Sequence, residues 1–264
     1  MPEDIVPPPA APATLVLPPV IPDDPVFTPA SMRAELLGQQ TRVRVSIRSS
    51  FCQEIGGQLE PGPLHKFVFG RRLFALQLYL LLMCIARSKP WDKKMPATSW
   101  ALTLDRSGPS AESTVSRNWK WLRENNLVET KREGRDLRVF RRDETGKDTE
   151  YTKPTSKFFY LPFAFFTEGW HTKLDLAETT VMLIALSKST SKPWFQLPTE
   201  RASDWYGISA DTLERGLEGL ETHGMLAIHR RQVRDHRARF NTVTINDYTL
   251  LGSLQRWKPT EVPS

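Results

Sequence analysis

The chain has 264 residues and a formal net charge of +6. This length accommodates two compact domains of about 100 residues each and a tail, and the basic excess favours a polyanionic partner. Two cysteines, Cys52 and Cys84, are too few for a disulfide framework or, by themselves, a zinc site, which predicts a reducing cytoplasm. The longest apolar stretch, residues 74–86, is shorter than the roughly 20 residues of a membrane span. We therefore predict a soluble protein without a membrane partner, with Cys84 as a packed thiol in that apolar stretch.

The first 29 residues carry ten prolines and no basic segment of the kind that opens a signal peptide. This composition predicts a disordered arm with polyproline character. Residues 30–66 follow as a basic segment whose structure the sequence leaves open. Within it, residues 41–49 (TRVRVSIRS) alternate like a strand, with Arg42, Arg44 and Arg48 on one face. The segment is either a basic extension or an additional sheet edge.

The tetrapeptide SKPW occurs twice, at residues 88–91 and 191–194. Each copy follows a stretch that is apolar at helical spacing, residues 71–88 and 174–190, which predicts two buried helices that end at the tetrapeptide. Pro90 and Pro193 would stop these helices, and Trp91 and Trp194 would pack beneath the turn that follows. The tetrapeptide is therefore interpreted as structural.

The segments after each SKPW also correspond. A short helix is predicted over residues 96–105 and 198–207, followed by a longer helix that begins with a Ser-Ala-acid capping signature after Ser110 or Ser209. Asn126 and Gly224 suit the left-handed end of these longer helices. A strand, a turn and a second strand follow in both halves. Short apolar segments, residues 66–69 and 157–160, are predicted to add a third strand to each ribbon.

This order of helix, short helix, longer helix and two-stranded ribbon resembles the winged helix-turn-helix fold, over residues 67–150 and again over 157–250. The resemblance implies that the longer helix enters the major groove of DNA with the ribbon, or wing, beside it. The predicted fold class is α+β and mainly helical, with two tandem winged helix-turn-helix domains at residues 67–156 and 157–252 and a tail at 253–264. The arrangement is similar to that of bacterial, including actinobacterial, regulators and of plasmid replication initiators.

The longer helix of the first domain is predicted to read DNA. With Val115 at the core, Ala111, Trp119 and Leu122 share its face. The outward face carries hydroxyl and basic groups that suit base edges and phosphates. The predicted contacts are Ser113, Thr114, Arg117 and Lys120.

The equivalent helix of the second domain is predicted to be a poor DNA reader. Its outward positions carry four acids, Asp211, Glu214, Glu218 and Glu221, against Arg215 alone. Such acids repel phosphate within the screening length of about 8 to 10 Å at ordinary salt. We predict instead a partner interface, and self-association as a homodimer, through this helix. The interface residues are Glu214, Gly216, Glu218 and Gly219, with the two glycines allowing close approach of another backbone.

Both ribbons contain arginines that suit phosphate contact. The predicted residues are Arg132, Arg135 and Arg138 in the first ribbon and Arg230, Arg231, Arg234, Arg237 and Arg239 in the second. The sequence contains no glycine-rich phosphate loop, metal-spaced cluster or nucleophile motif, so we predict no enzyme activity, cofactor or metal.

Three functions remain at the sequence level. The first is a cytoplasmic, nucleoid-associated transcription regulator that binds double-stranded DNA. The second is a plasmid or phage replication initiator, and the third is a protein-interaction module built on winged helices. The sequence of the bound DNA and any effector ligand stay open.

Overall fold

The structure is a computed structural model that describes residues 27–38, 43–54, 59–234 and 242–255. Most of the predicted proline-rich arm and most of the predicted tail lie outside these ranges. Over the described residues, no helix is both long enough and apolar enough to cross a membrane. The fold is α+β, with helices as the major element and four small antiparallel sheets in the described chain, as the sequence predicts at that level.

The amino-terminal part and the first repeated unit contain five helices and six strands. In chain order they are α1 (Pro29–Gly38), β1 (Arg44–Arg48), a 3-10 turn (Ser49–Phe51), β2 (Gln53–Glu54), β3 (Glu60–Pro61), α2 (Leu64–Phe69), α3 (Leu73–Ile85), β4 (Asp92–Met95), α4 (Ala97–Thr103), α5 (Ala111–Glu124), β5 (Val128–Glu133) and β6 (Asp136–Arg141). We call the segment from α3 to β6 the first unit.

The remaining part contains a second segment with the same order of elements as the first unit. Its elements are β7 (Phe158–Pro162), α6 (Ala164–Thr167), α7 (Trp170–Lys173), α8 (Leu176–Lys188), β8 (Trp194–Phe195), a 3-10 turn (Thr199–Arg201) continuing into α9 (Ala202–Tyr206), α10 (Ala210–Thr222), β9 (Leu226–Arg234), β10 (Thr242–Leu250) and a 3-10 turn (Gly252–Leu254). We call the segment from α8 to β10 the second unit.

The two units have the same sheet topology. Each contains a three-stranded antiparallel sheet in which the last strand lies in the middle: the order is β4-β6-β5 in the first unit and β8-β10-β9 in the second. Both hairpins are those predicted from the sequence. Each unit is thus a helix, a strand, two helices and two strands.

The third strand of each sheet differs from the prediction. Residues 66–69 belong to helix α2, where Leu64 and Phe67 are buried at helical spacing and Phe67 meets Tyr79 in the core. Residues 157–160 enter β7, which pairs with β1 and not with a hairpin. The third strands are β4, which follows the first SKPW directly, and β8, which begins at Trp194, the last residue of the second SKPW. Helices α3 and α8 end at Ile85 and Lys188, before the prolines, so the tetrapeptide leads into a strand.

The segment left open at residues 30–66 contains a sheet edge. Strand β1 pairs antiparallel with β7 from Arg44 opposite Pro162 to Arg48 opposite Phe158. Val45 and Ile47 are buried on the inner face, which is the alternation that the sequence shows. Arg42 lies outside the described residues. Strand β1 therefore ties the amino-terminal segment to the part of the chain that precedes the second unit.

Helices α3 and α8 form the centre of the molecule. Nearly every side chain of α3 and most of those of α8 are buried, as their apolar sequences predict. One cluster of buried apolar side chains runs through both units and includes β1 and β7. Cys84 is a buried free thiol in this core, and burial raises its pKa to about 12, so it is packed as predicted.

Helices α5 and α10 end alike and begin differently. Asn126 and Gly224 both adopt the left-handed conformation, with φ of 59° and 66°, as predicted. Ser209 caps α10, since its hydroxyl accepts a hydrogen bond from the Thr212 amide at 3.1 Å. Ser110 stands at the N-cap position of α5 as predicted, but it has helical backbone angles and its side chain accepts no capping hydrogen bond.

Candidate nucleic-acid interface

The outward face of α5 presents the polar side chains that the sequence predicts. Val115, Trp119 and Leu122 are buried, and the Trp119 ring packs edge-on against Trp100 of α4, with centroids 4.9 Å apart. On the other side of α5, Ser113, Arg117 and Lys120 are exposed and Thr114 is half-buried. The amphipathic pattern of the helix therefore holds one face in the core and turns the other to solvent.

Arg117 lies along the surface of α5 toward its amino-terminal end. Its Nε donates to the Ser113 carbonyl at 3.3 Å and one terminal nitrogen donates to the Thr114 hydroxyl at 3.2 Å. These hydrogen bonds are long and exposed, so an incoming acceptor can replace them at little cost. Lys120 lies 3.8 Å from Glu124 in an exposed pair, of a kind that contributes about 0.2 to 1 kcal/mol.

A cleft of about 270 Å³ joins α5 to the β5–β6 hairpin. We call it the α5 cleft. Four cationic side chains line it, Lys120 and Arg123 from α5 and Arg132 and Arg135 from the hairpin, and Glu112 is the acid in its wall. No acid among the described residues pairs with Arg132 or Arg135. The cleft thus brings two cations of α5 beside two arginines of the hairpin, whereas Ser113, Thr114 and Arg117 do not line it.

Arg123 lines this cleft, although the sequence analysis did not select it. Helical spacing alone places Arg123 off the outward face of α5. The hairpin folds beside the carboxyl-terminal half of α5, and the Arg123 guanidinium donates to the Thr130 hydroxyl of β5 at 3.3 Å. Predicting Arg123 would therefore require the position of the hairpin, and the local sequence pattern of α5 does not contain it.

Arg138, a predicted DNA contact, is compensated by two acids of its own sheet. Its guanidinium is hydrogen-bonded to the Asp92 carboxylate of β4 and lies 3.2 Å from Glu133 of β5. These hydrogen bonds raise the pKa of Arg138 further above its ordinary value. Arg138 is therefore less available to a ligand than Arg132 and Arg135, because β4, a strand that the sequence does not predict, places an acid beside it.

Helix α10 has the acidic outer face that its sequence predicts. Asp211, Glu214, Glu218 and Glu221 are exposed. Arg215 lies 3.5 Å from Asp175 and 4.0 Å from Asp211, so its charge is compensated on the same surface. This face has no cationic surface of the kind found along α5.

The two glycines of α10 pack inside the chain. Gly216 is buried against α8, where a Cβ would lie 2.4 Å from Val181 and 2.7 Å from the Ala177 carbonyl oxygen. At Gly219 a Cβ would meet the Glu178 side chain. The predicted close approach does occur, but its partner is α8 of the same chain. Gly216 and Gly219 are therefore corrected from intermolecular contacts to internal packing positions.

The β9–β10 hairpin carries part of its predicted basic set in the described chain. Arg230, Arg231 and Arg234 are exposed on β9. Arg231 is paired with Asp247 of β10, and this pairing lowers the Asp247 pKa. Arg237 and Arg239 lie outside the described residues. Arg230 and Arg234 have no acidic partner within the described ranges.

No family model matches this chain, and no curated protein is significantly similar to it. Among the described residues, no three His, Cys, Asp or Glu side chains form a group that could hold a metal ion.

Proposed function

We propose that the protein is a sequence-specific transcription regulator that binds double-stranded DNA through the first unit. The order and topology of each unit support a tandem winged helix-turn-helix interpretation, with α5 as the recognition helix and the two hairpins as wings. The observation that carries the proposal is the α5 cleft, where Lys120 and Arg123 of the helix lie beside Arg132 and Arg135 of the wing. We propose a cytoplasmic, nucleoid-associated location for this function.

The dimensions and chemistry of α5 suit the major groove. Its 14 residues span about 21 Å, and a helix with side chains is about 10 to 12 Å wide, close to the groove width of about 12 Å. In this arrangement Arg117 contacts a guanine edge, Ser113 and Thr114 contact a base or phosphate, and Lys120 contacts phosphate. Arg132 and Arg135 hold the backbone beside the groove.

The second unit has a different role in this proposal. Its acidic α10 faces a partner, which we propose is a second copy of the chain, while Arg230 and Arg234 of its wing contact phosphate. One continuous core joins the two units, so contacts made by the second wing add to those of the first on the same DNA molecule.

We expect Arg117→Ala to weaken binding to the specific site by about 1 to 3 kcal/mol, the value of a good base contact. Binding to random DNA should change little, since that binding depends on phosphate contacts. The measurement is the Kd for a selected site and for random DNA at several salt concentrations. The matched control is Arg215→Ala, which removes the arginine at the equivalent position of α10 and should leave both affinities unchanged. An equal loss of affinity for both DNAs would show that Arg117 contacts phosphate and not a base.

We expect the double charge reversal Glu214→Lys with Glu218→Lys to disrupt self-association, because both carboxylates are exposed at the centre of the proposed interface. Light scattering on the full chain measures the mass. Glu200→Lys, which reverses an exposed acid outside α10, is the matched control. An unchanged mass in the double variant would contradict the proposed interface.

Plasmid or phage replication initiation is the second candidate. The single core through both units favours it, because two units held together in one chain suit directly repeated sites. Footprinting of the full chain separates the functions: a palindrome overlapping a promoter supports regulation, and direct repeats in an origin support initiation. Absence of protection and of steep salt dependence would instead support an interaction module, for which the acidic face of α10 is the favouring feature.

A further inference from the structure

A second basic depression lies away from the α5 cleft. Its volume is about 500 Å³, within the range of about 300 to 1,000 Å³ found for small-molecule sites. We call it the β1–β7 cavity, because residues of these paired strands form one wall. Arg87 after α3, Trp91 before β4, Arg141 at the end of β6, and Tyr151, Lys153 and Pro154 form the others. No residue lines both this cavity and the α5 cleft.

The described residues that line the β1–β7 cavity include four cations and no acid. Arg44, Arg87, Arg141 and Lys153 line it, and none of its described lining residues is Asp or Glu. No acid among the described residues pairs with Arg44 or Lys153, both of which are exposed. The cavity therefore attracts anions.

Arg141 is the buried member of this set. Its side chain is 1% exposed; one terminal nitrogen donates to the Ala86 carbonyl at 3.1 Å, and the other lies 3.5 Å from Glu144. Its Nε has no hydrogen-bond partner among the described residues. Glu144 is shared with Arg48, so one buried carboxylate serves two guanidinium groups. These nitrogen atoms are buried, so Arg141 adds positive charge to the wall of the cavity without presenting an exposed donor.

The same cavity is lined by flat aromatic rings. Trp91 and Tyr151 meet edge to face with centroids 5.2 Å apart, and so do Phe158 and Tyr160. The Arg44 guanidinium carbon lies 4.1 Å from the centre of the Tyr160 ring, and that of Arg141 lies 3.7 Å from the Tyr151 ring. Rings and stacked guanidinium planes offer surfaces on which a planar ring can stack.

We propose that the β1–β7 cavity binds a mononucleotide, with its base against the aromatic rings and its phosphate on the exposed cations Arg44 and Lys153. Inorganic phosphate would use only the cations, and a nucleoside would use only the rings. A simple aromatic acid would leave much of the volume empty. This site goes beyond the proposed DNA binding and does not depend on it.

A neighbouring depression bears on whether the nucleotide is free or part of a single strand. The depression, of about 630 Å³, shares Trp91, Arg141, Tyr151 and Lys153 with the cavity. Its wall also contains Lys89 and Arg142 together with Glu129 and Glu150, and Arg142 lies 3.1 Å from Glu129. Because these acids are matched by cations, a direct comparison of a mononucleotide with an oligonucleotide decides between the two sources.

Isothermal titration calorimetry on the full chain tests the site with the four ribonucleoside monophosphates, adenosine, inorganic phosphate and an oligodeoxyadenylate. At least one monophosphate should bind with a micromolar Kd. Adenosine and phosphate should bind more weakly, with Kd values at least roughly tenfold higher, because each lacks one half of the recognised chemistry. Failure of all four monophosphates, or equal affinity for phosphate, would overturn the proposal. Tighter binding of the oligonucleotide would show that the cavity binds a unit of a single strand, and would overturn the proposal of a free nucleotide.

Variants place the ligand and separate this site from DNA binding. Arg44→Ala and Lys153→Ala should each weaken monophosphate binding by roughly tenfold and leave the Kd for duplex DNA unchanged. Lys192→Ala removes an exposed cation outside the cavity and should change neither. Because both cavity residues are exposed, the variants should unfold at the wild-type temperature. Unchanged nucleotide affinity in both cavity variants would exclude the site, whatever the outcome for DNA.

Discussion

Replacing Glu144 by alanine is expected to lower the free energy of unfolding by about 3 to 5 kcal/mol. The Glu144 side chain is fully buried, with one oxygen 2.9 Å from Arg48 and the other 3.5 Å from Arg141. Without it, the guanidinium of Arg141 remains buried with no carboxylate to compensate it. Removal of one partner from such a buried pair costs far more than loss of an exposed pair. Urea unfolding of the full chain measures the change.

The neighbouring pair of Glu129 and Arg142 supplies the control. Their charged groups are 3.1 Å apart, but the Glu129 side chain is 56% exposed, so Glu129→Ala should cost no more than about 1 kcal/mol. A loss in Glu144→Ala no larger than in this control would show that the buried carboxylate does not compensate the two arginines. Because Arg141 lines the β1–β7 cavity, Glu144→Ala should also alter nucleotide binding there.

The same residue predicts a dependence of stability on pH. Burial raises the pKa of Glu144 above its ordinary value, although Arg141 and Arg48 act in the opposite direction. The native chain therefore holds this proton more tightly than the unfolded chain does. The resulting contribution to stability is complete below the unfolded pKa and is lost as pH rises through the native pKa. Glu144→Gln, which has no such proton, should lack this fall in unfolding experiments across that range.

The sequence predicts well those features that depend on local pattern. Helical periodicity around Val115 and Leu213 is enough to separate the buried and exposed faces of α5 and α10. The left-handed residues Asn126 and Gly224 mark where these helices end. Alternation in residues 41–49 is typical of a strand, and the structure decides for β1 between the two alternatives left open by the sequence. Each of these features arises from neighbours within a few residues, so the pattern carries the information.

Features that depend on distant pairing were missed. Strand β4 has the sequence DKKM, which has no apolar alternation, and it is a strand because it pairs with β6. That pairing also places Asp92 beside Arg138 and makes Arg138 less available to a ligand. Likewise, Arg123 joins the α5 cleft only because the hairpin folds back beside the helix. Long-range contacts decide which charges remain available, and the local sequence does not contain them.

The two units differ most at their equivalent outer positions. Within the part of the chain that the structure describes, the partners of Arg117 are a hydroxyl and a carbonyl of α5, whereas Arg215 on α10 lies beside Asp175 and Asp211. The same backbone position thus offers an available guanidinium in one unit and a compensated one in the other. The proposed division between DNA reading and partner binding rests on this difference in neighbours, since the topology of the two units is the same.

Gly216→Val is expected to lower the free energy of unfolding by about 3 kcal/mol, at the upper end of the range for overpacking a core. A Cβ at this position would lie 2.4 Å from Val181 and 2.7 Å from the backbone carbonyl oxygen of Ala177. A side chain can rotate away, but the carbonyl belongs to α8 and moves only with that helix. The small gain in helix propensity over glycine is under about 1 kcal/mol and cannot offset this clash.

Two matched variants show whether the close packing of α10 on α8 is the cause. Gly38→Val introduces the same side chain at an exposed helix end with open space around it, and should change stability by no more than about 0.5 kcal/mol. At Gly219 the atoms nearest to an added Cβ belong to the flexible Glu178 side chain. Its displacement disturbs the capping box of α8, so Gly219→Val should cost about 1 kcal/mol. In thermal and urea unfolding, the loss of stability should be largest for the variant at Gly216, smaller at Gly219 and smallest at Gly38. If Gly216→Val instead dissociated a dimer with no loss of stability, the glycine would lie between two chains, as the sequence first suggested.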